Sequence, residues 1–218
     1  TLKNINEETY RYQEYNFIKS PNTIENAHLE LSVIKRPIKD YDKLSDYFSN
    51  IFLVNRLTET RVQTGFTRSK PHEEGSGSEF VQKLTVDEDI KWLPASVVKG
   101  EGIFLRGLTG KLNIQNKYFL IHTFAHLLIN QLSFSCGYGS SSLRERIYCN
   151  FDSEDNLMQG VLIYTASGDS EGSLGGLVRE GEPQNLSKII KKMLHKAQVC
   201  SYDPVCLDHK QQGLNGTN

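Results

Sequence analysis

The sequence predicts an α+β (mixed α/β) fold, a β-sheet packed with a buried central helix and a C-terminal amphipathic helix, and three stretches of it carry that prediction. Residues 118–134 form the longest apolar segment, whose length suits a buried helix better than a strand. GVLIYTA at 160–166 is apolar and β-branched, as a central strand requires. From 185 to 199, Leu186, Ile189, Ile190, Met193, Leu194 and Ala197 recur at helical spacing opposite a polar face, with Ser187 or Asn185 as the expected cap.

The remaining elements follow in chain order. The first twenty residues are polar and aromatic and give no firm assignment. AHLELSVIKR at 27–36 alternates apolar Leu29, Leu31 and Val33 with polar neighbours, the pattern of a half-buried strand that Pro37 ends. Leu44, Tyr47, Phe48, Ile51 and Phe52 fall at helical spacing and predict a helix within 40–58, leading into a short strand or second helix near Leu53–Leu57. Residues 71–90, with GSGSEF at 75–80, read as a flexible loop or junction between an N-terminal α/β segment (1–70) and a second unit (91–218). Pro94, Gly100 and Gly102 in KWLPASVVKGEGIFLR predict an edge strand and hairpin. Gly137 and Gly139 end the central helix, and Ser142 and Glu145 are spaced as a capping box, which predicts a short helix at LRERIY.

Composition narrows the function. With 218 residues and 38% hydrophobic content the chain supports a real core. Lys plus Arg (25) balances Asp plus Glu (26), so no global basic field marks a stand-alone nucleic-acid binder. No apolar run reaches the ~18 residues of a membrane span, and no signal core opens the chain, which predicts a cytoplasmic protein without a membrane partner. No G-x-x-x-x-G-K-[ST] occurs, so an ATP-driven motor would have to be a partner.

Four constellations could carry chemistry. His122 and His126 lie four apart on one helix face, where they can share a metal; position 123 is Thr, not the Glu a zincin uses as base. With no third ligand in view, both read as core-facing groups that hydrogen-bond a neighbouring loop. Gly168-Asp169-Ser170-Glu171-Gly172 matches a nucleophile elbow after a strand, with Asp203 and His209 following in hydrolase order. Gly172, Gly175 and Gly176 make poor helix material after it, which favours a structural or partner-binding turn over a serine hydrolase. Cys200 and Cys206 bracket an Asp-Pro turn and offer half of a metal site, which Cys136 and Cys149, or residues beyond 218, could complete. Lys188, Lys191, Lys192 and Lys196 form a basic helix face and, with Arg144 and Arg146, are the candidate phosphate contacts. Arg56, Arg61 and Arg68 are candidates for the same role.

NRLTETRVQTGFTR, WLPASVVKGEGIFL, HTFAHLLINQLSFSCGYGSSSLRERIY, GVLIYTASGDSEGSLGGLV and CSYDPVC occur in this order over roughly residues 50–210. In these blocks the chain resembles the DrmB family of the DISARM anti-phage system and, more distantly, the MrfA-like zinc-binding domain of certain DNA-repair helicases. The resemblance implies a non-catalytic module beside a superfamily-two, DrmA-like helicase subunit, engaging single-stranded or junction DNA through that complex. A purely structural scaffold of a DNA-repair helicase assembly is the alternative. It also implies a structural zinc held by four cysteines, with Cys200 and Cys206 as the first pair. The second pair would lie past Asn218, so that the chain reads as an excerpt of a longer protein whose zinc site is incomplete here. The connection between GEGIFL and HTFAHLL is shorter than the resemblance leads one to expect.

Overall fold

The computed structural model describes residues 7–19, 31–63, 65–67, 81–83, 92–108, 114–138, 142–149, 158–166 and 175–198. Within them run helix α1 (Glu7–Lys19), strands β1 (Ser32–Arg36), β2 (Asn50–Val62), β3 (Gly65–Thr67), β4 (Val81–Lys83) and β5 (Ala95–Arg106), helix α2 (Ile114–Cys136), strands β6 (Leu143–Cys149) and β7 (Gln159–Ala166), and helices α3 (Gly176–Glu180) and α4 (Pro183–Ala197). A five-stranded sheet in the order β1-β2-β5-β7-β6, antiparallel at every pairing, forms the middle layer. The fold class is α+β, as the sequence predicts.

Period-2 alternation sends neighbouring residues of the central strands into two separate cores. Ile51, Leu53, Ile103, Leu105, Val161 and Ile163 meet α2, α3 and α4 on one face. Phe52, Val54, Phe104, Leu162 and Tyr164 meet Tyr15 and Ile18 of α1 on the other. There Tyr15 sits edge-on to Phe104 at 5.8 Å, and its hydroxyl accepts from Arg106 Nε at 2.9 Å. Helix α1 is an element that sequence periodicity did not announce, since Tyr15 and Ile18 are few anchors in a polar stretch.

Several expectations are corrected. The helix within 40–58 is instead two single 3-10 turns, Ile38–Asp40 and Leu44–Asp46, followed by the 13-residue β2. A strand buried on both faces shows a continuous apolar run, Ile51 to Val54, which mimics helical spacing. Strand β5 is central over Gly100–Arg106, where it pairs with both β2 and β7, while Ala95–Lys99 pairs with β2; Pro94 merely precedes it. LRERIY lies in β6, not in a helix; the Ser142/Glu145 spacing is local, whereas Leu143, Ile147 and Cys149 pack on the core under α2. Gly176 does open a short helix, α3. Helix α4 starts at Pro183 with Glu182 as its cap residue, so neither Ser187 nor Asn185 caps it, and Leu194 is 45% exposed, outside the buried stripe.

The expected endings hold at Gly137, which follows Cys136 with φ +74°, and β7 is central as predicted. β2 and β5, from either side of the 71–90 stretch, pair in one sheet and share its cores. Of that stretch only Val81–Lys83 is described, as the partner of β3.

Candidate functional site

The α2 face of the sheet carries a cluster of two histidines and a glutamate. On α2, Ile121, Phe124, Ala125, Leu128 and Leu132 form the buried stripe, which turns His122 and His126 to its flank, toward the edge strand β6. Glu145 rises from β6 between Leu143 and Ile147 on the face that α2 covers. Its Oε1 lies 2.9 Å from His122 Nδ1 and 3.6 Å from His126 Nε2, and the two imidazoles meet edge-on with centroids 4.4 Å apart. Tyr118, one turn earlier, stacks on His122. The three side chains are 31%, 61% and 20% exposed in the order His122, His126, Glu145, so the histidines are not core-facing groups, and the cluster is most exposed on the His126 side.

Hydrogen bonding leaves this cluster unfinished. Despite the 2.9 Å approach, His122 Nδ1 makes no aligned hydrogen bond, and Glu145 Oε2 likewise has none among the described residues. Buried polar atoms are normally satisfied. The nearby thiols do not join: burial raises the pKa of Cys136 to about 12, with Glu180 and Glu101 adding to it, and burial also raises that of Cys149. Among the described residues neither sulfur belongs to a ligand cluster; Cys200 and Cys206, with which the sequence allows them to form a metal site, lie outside the described residues.

A second polar centre is structural. Glu101 in β5 is 1% exposed, yet its carboxylate is fully engaged: it accepts from Gly175 N–H and Leu177 N–H at 2.7 Å each and from the Tyr138 hydroxyl at 3.1 Å. It docks the start of α3 onto the sheet. Gly175 has φ +113° and open space where a Cβ would be, so here glycine serves backbone conformation and not close packing. Close packing falls instead at Gly181, where a Cβ would stand 2.5 Å from Leu53 Cδ2.

The candidate phosphate contacts do not form one patch. Lys188, Lys191, Lys192 and Lys196 are exposed on the outer face of α4. Lys196 Nζ lies over the Phe134 ring at 5.2 Å, and Asp40 and Asp42 line a groove with Lys188 and Lys191. Arg144 and Arg146 point to the opposite side of the sheet, by strand alternation. Arg144 is exposed, whereas Arg146 is engaged internally, with Glu14 at 2.7 Å, Glu59 at 3.5 Å and its guanidinium over the Tyr164 ring. Arg61 pairs with Glu59 at 2.8 Å. Cys200, Cys206, Gly172, Arg68 and the whole 168–172 elbow with Ser170, Asp203 and His209 lie outside the described residues. Sequence reasoning found the histidine pair but missed Glu145 and Glu101. Glu145 was legible only as a capping-box residue, and an isolated glutamate in a strand announces no burial.

The class of domain is given by the family model that matches residues 124–212, the MrfA Zn-binding domain. Among curated proteins, the DISARM protein DrmB of Bacillus paralicheniformis is 36% identical over 200 residues, covering 76% of this chain and 35% of its own length. This chain is therefore similar to DrmB and carries a match to an MrfA Zn-binding domain, and it spans about a third of that relative. The crystal structure of DUF1998 helicase MrfA bound to DNA aligns with 79% of this chain and 21% of that chain, at a TM-score of 0.48 and 11% identity. No helix among the described residues is long and apolar enough to cross a membrane.

Proposed function

We propose that this chain is a non-catalytic accessory module that associates with a superfamily-two helicase and assists its engagement of DNA in bacterial anti-phage defence. The observation that carries the reading is the 36% identity to the DISARM protein DrmB, supported by the zinc-binding domain match. The module works in the cytoplasm and contributes shape and charge, while a DrmA-like partner hydrolyses ATP. Residues 91–218 carry the zinc-binding module, 1–70 supply the first strands of its sheet, and 71–90 are the junction. Cys200 and Cys206 contribute half of a four-thiolate structural zinc. Such a metal clamps the segment that carries its ligands and does no chemistry on a substrate.

The basic face of α4 is the surface that meets the phosphate backbone, with Arg144 as a separate contact. Lysines act there as mobile point charges, which suits backbone contact without base readout. Arg146 is committed to Glu14 and Glu59 and serves the fold instead. The gene neighbourhood and a pull-down with the adjacent helicase identify the partner. Binding of single-stranded and junction oligonucleotides is then titrated with salt, with and without that helicase. Changing Lys188, Lys191, Lys192 and Lys196 to Gln is expected to flatten the slope of log affinity against log salt by up to about 3, at ~0.7–0.9 per phosphate contact. A scaffold would show an unchanged slope and an unchanged helicase footprint. Esterase or peptidase turnover that Ser170→Ala abolishes in the folded protein would replace the accessory reading with a hydrolase.

A further inference from the structure

We propose that His122, His126 and Glu145 form a binding site for a divalent transition-metal ion of the zinc class, separate from any cysteine site. Their ligand atoms all lie within 4.8 Å of one another. In a tetrahedral site with metal–ligand bonds of about 2.1 Å, ligand atoms stand about 3.4 Å apart. The observed 2.9 and 3.6 Å straddle that value, so small side-chain rotations seat the ion. Two imidazoles with one carboxylate suit zinc and its neighbours and disfavour magnesium or calcium, which take oxygen donors.

The arrangement explains what an ion pair leaves unexplained. A neutral His122 can present Nδ1 as a lone pair to a metal, which gives purpose to a buried nitrogen with no aligned hydrogen bond. Glu145 Oε2, likewise unsatisfied, can share the ion or bind water on it. Three protein ligands leave one position open, on the side where His126 is exposed, for a water or another oxygen donor. The ion would fasten α2 to β6, which among the described strands pairs with β7 alone. Arg146 is on the other face of β6 with Glu14, and does not compete for Glu145.

The test uses cobalt(II) as probe on the 218-residue chain, stripped with chelator and reloaded. In a Cys200→Ser/Cys206→Ser variant we expect about one cobalt per chain, with d–d absorption and no thiolate charge-transfer band. Adding Glu145→Gln, which keeps the side chain's shape, or His126→Asn should weaken binding at least ~10-fold, since even changes outside the ligand shell cost that much. Far-UV circular dichroism should stay unchanged. Absence of cobalt binding in the cysteine variant, or an affinity that Glu145→Gln leaves alone, overturns the site. Should the cysteine variant not fold, the same comparison is made in the parent chain, where Glu145→Gln must lower stoichiometry by one with any thiolate band retained; an unchanged stoichiometry overturns the proposal. Loss of a thiolate band alone bears on Cys200 and Cys206 and leaves this site standing.

Discussion

At the scale of single residues, buried charge and burial-forced conformation decide most. Glu101 is tolerated at 1% exposure because two backbone N–H groups and one hydroxyl donate to it, so its carboxylate exchanges water for three directed bonds. Replacing it with Ala would strand the buried Leu177 N–H and the part-buried Gly175 N–H at the start of α3. We expect Glu101→Ala to cost about 3 kcal/mol, and Glu101→Gln, which retains one acceptor oxygen, roughly half of that, in urea unfolding with an unchanged m-value. Equal costs would mean that α3 docks through Leu177 packing and not through the carboxylate. Glu101 and Glu145 illustrate what a linear reading misses: each is an ordinary glutamate in a strand until the register sets its neighbours.

Helix α4 provides the test at the scale of elements. Leu186, Ile189, Ile190 and Met193 are buried against α2 and the sheet, whereas Leu194, which shares their periodicity, is 45% exposed. Among the described residues the buried stripe of α4 is thus narrower than the sequence predicted. Its N-terminus is fixed by the ion pair between Glu182 and Arg36 of β1, and nearby the Tyr41 hydroxyl donates to Gly181 O at 2.9 Å. Leu186→Ala should therefore destabilise by about 3 kcal/mol through lost transfer energy plus a cavity. Leu194→Gln should fall within about 0.5 kcal/mol of the parent. Matching losses, measured by thermal or urea unfolding, would show that Leu194 is covered by a segment packed on α4.

Across the whole molecule, burial of neutral acids links stability to alkaline pH. Desolvation raises the pKa values of Tyr41, Tyr148 and Tyr164, and it lifts Cys136 from 9.0 to about 12. The folded chain holds these protons where the unfolded chain releases them, so stability falls as pH rises. The contribution is complete below the unfolded values, about 8.5 for a thiol and about 10 for a phenol, and is lost progressively as pH climbs toward the folded ones. Urea midpoints taken at about pH 7, 9 and 10.5 should decline, with the first part of the decline removed in Cys136→Ala. A flat profile would place these groups in contact with water.

Much of the architecture was legible locally. A long apolar run marks α2, an apolar 3.6-period marks α4 and a β-branched run marks β7, because each such element must bury one face or both whatever surrounds it. The ordered sequence blocks likewise sufficed to indicate the DrmB-like relationship, later matched by identity over 76% of the chain. Tertiary structure alone decided that 50–62 is a strand and that LRERIY is an edge strand, since a chain segment buried on both faces, or patterned like a helix cap, has no unique local period. It alone brought Glu145 to a histidine pair about twenty residues away and α3 to Glu101, because such meetings depend on which strand lies beside which and in what register.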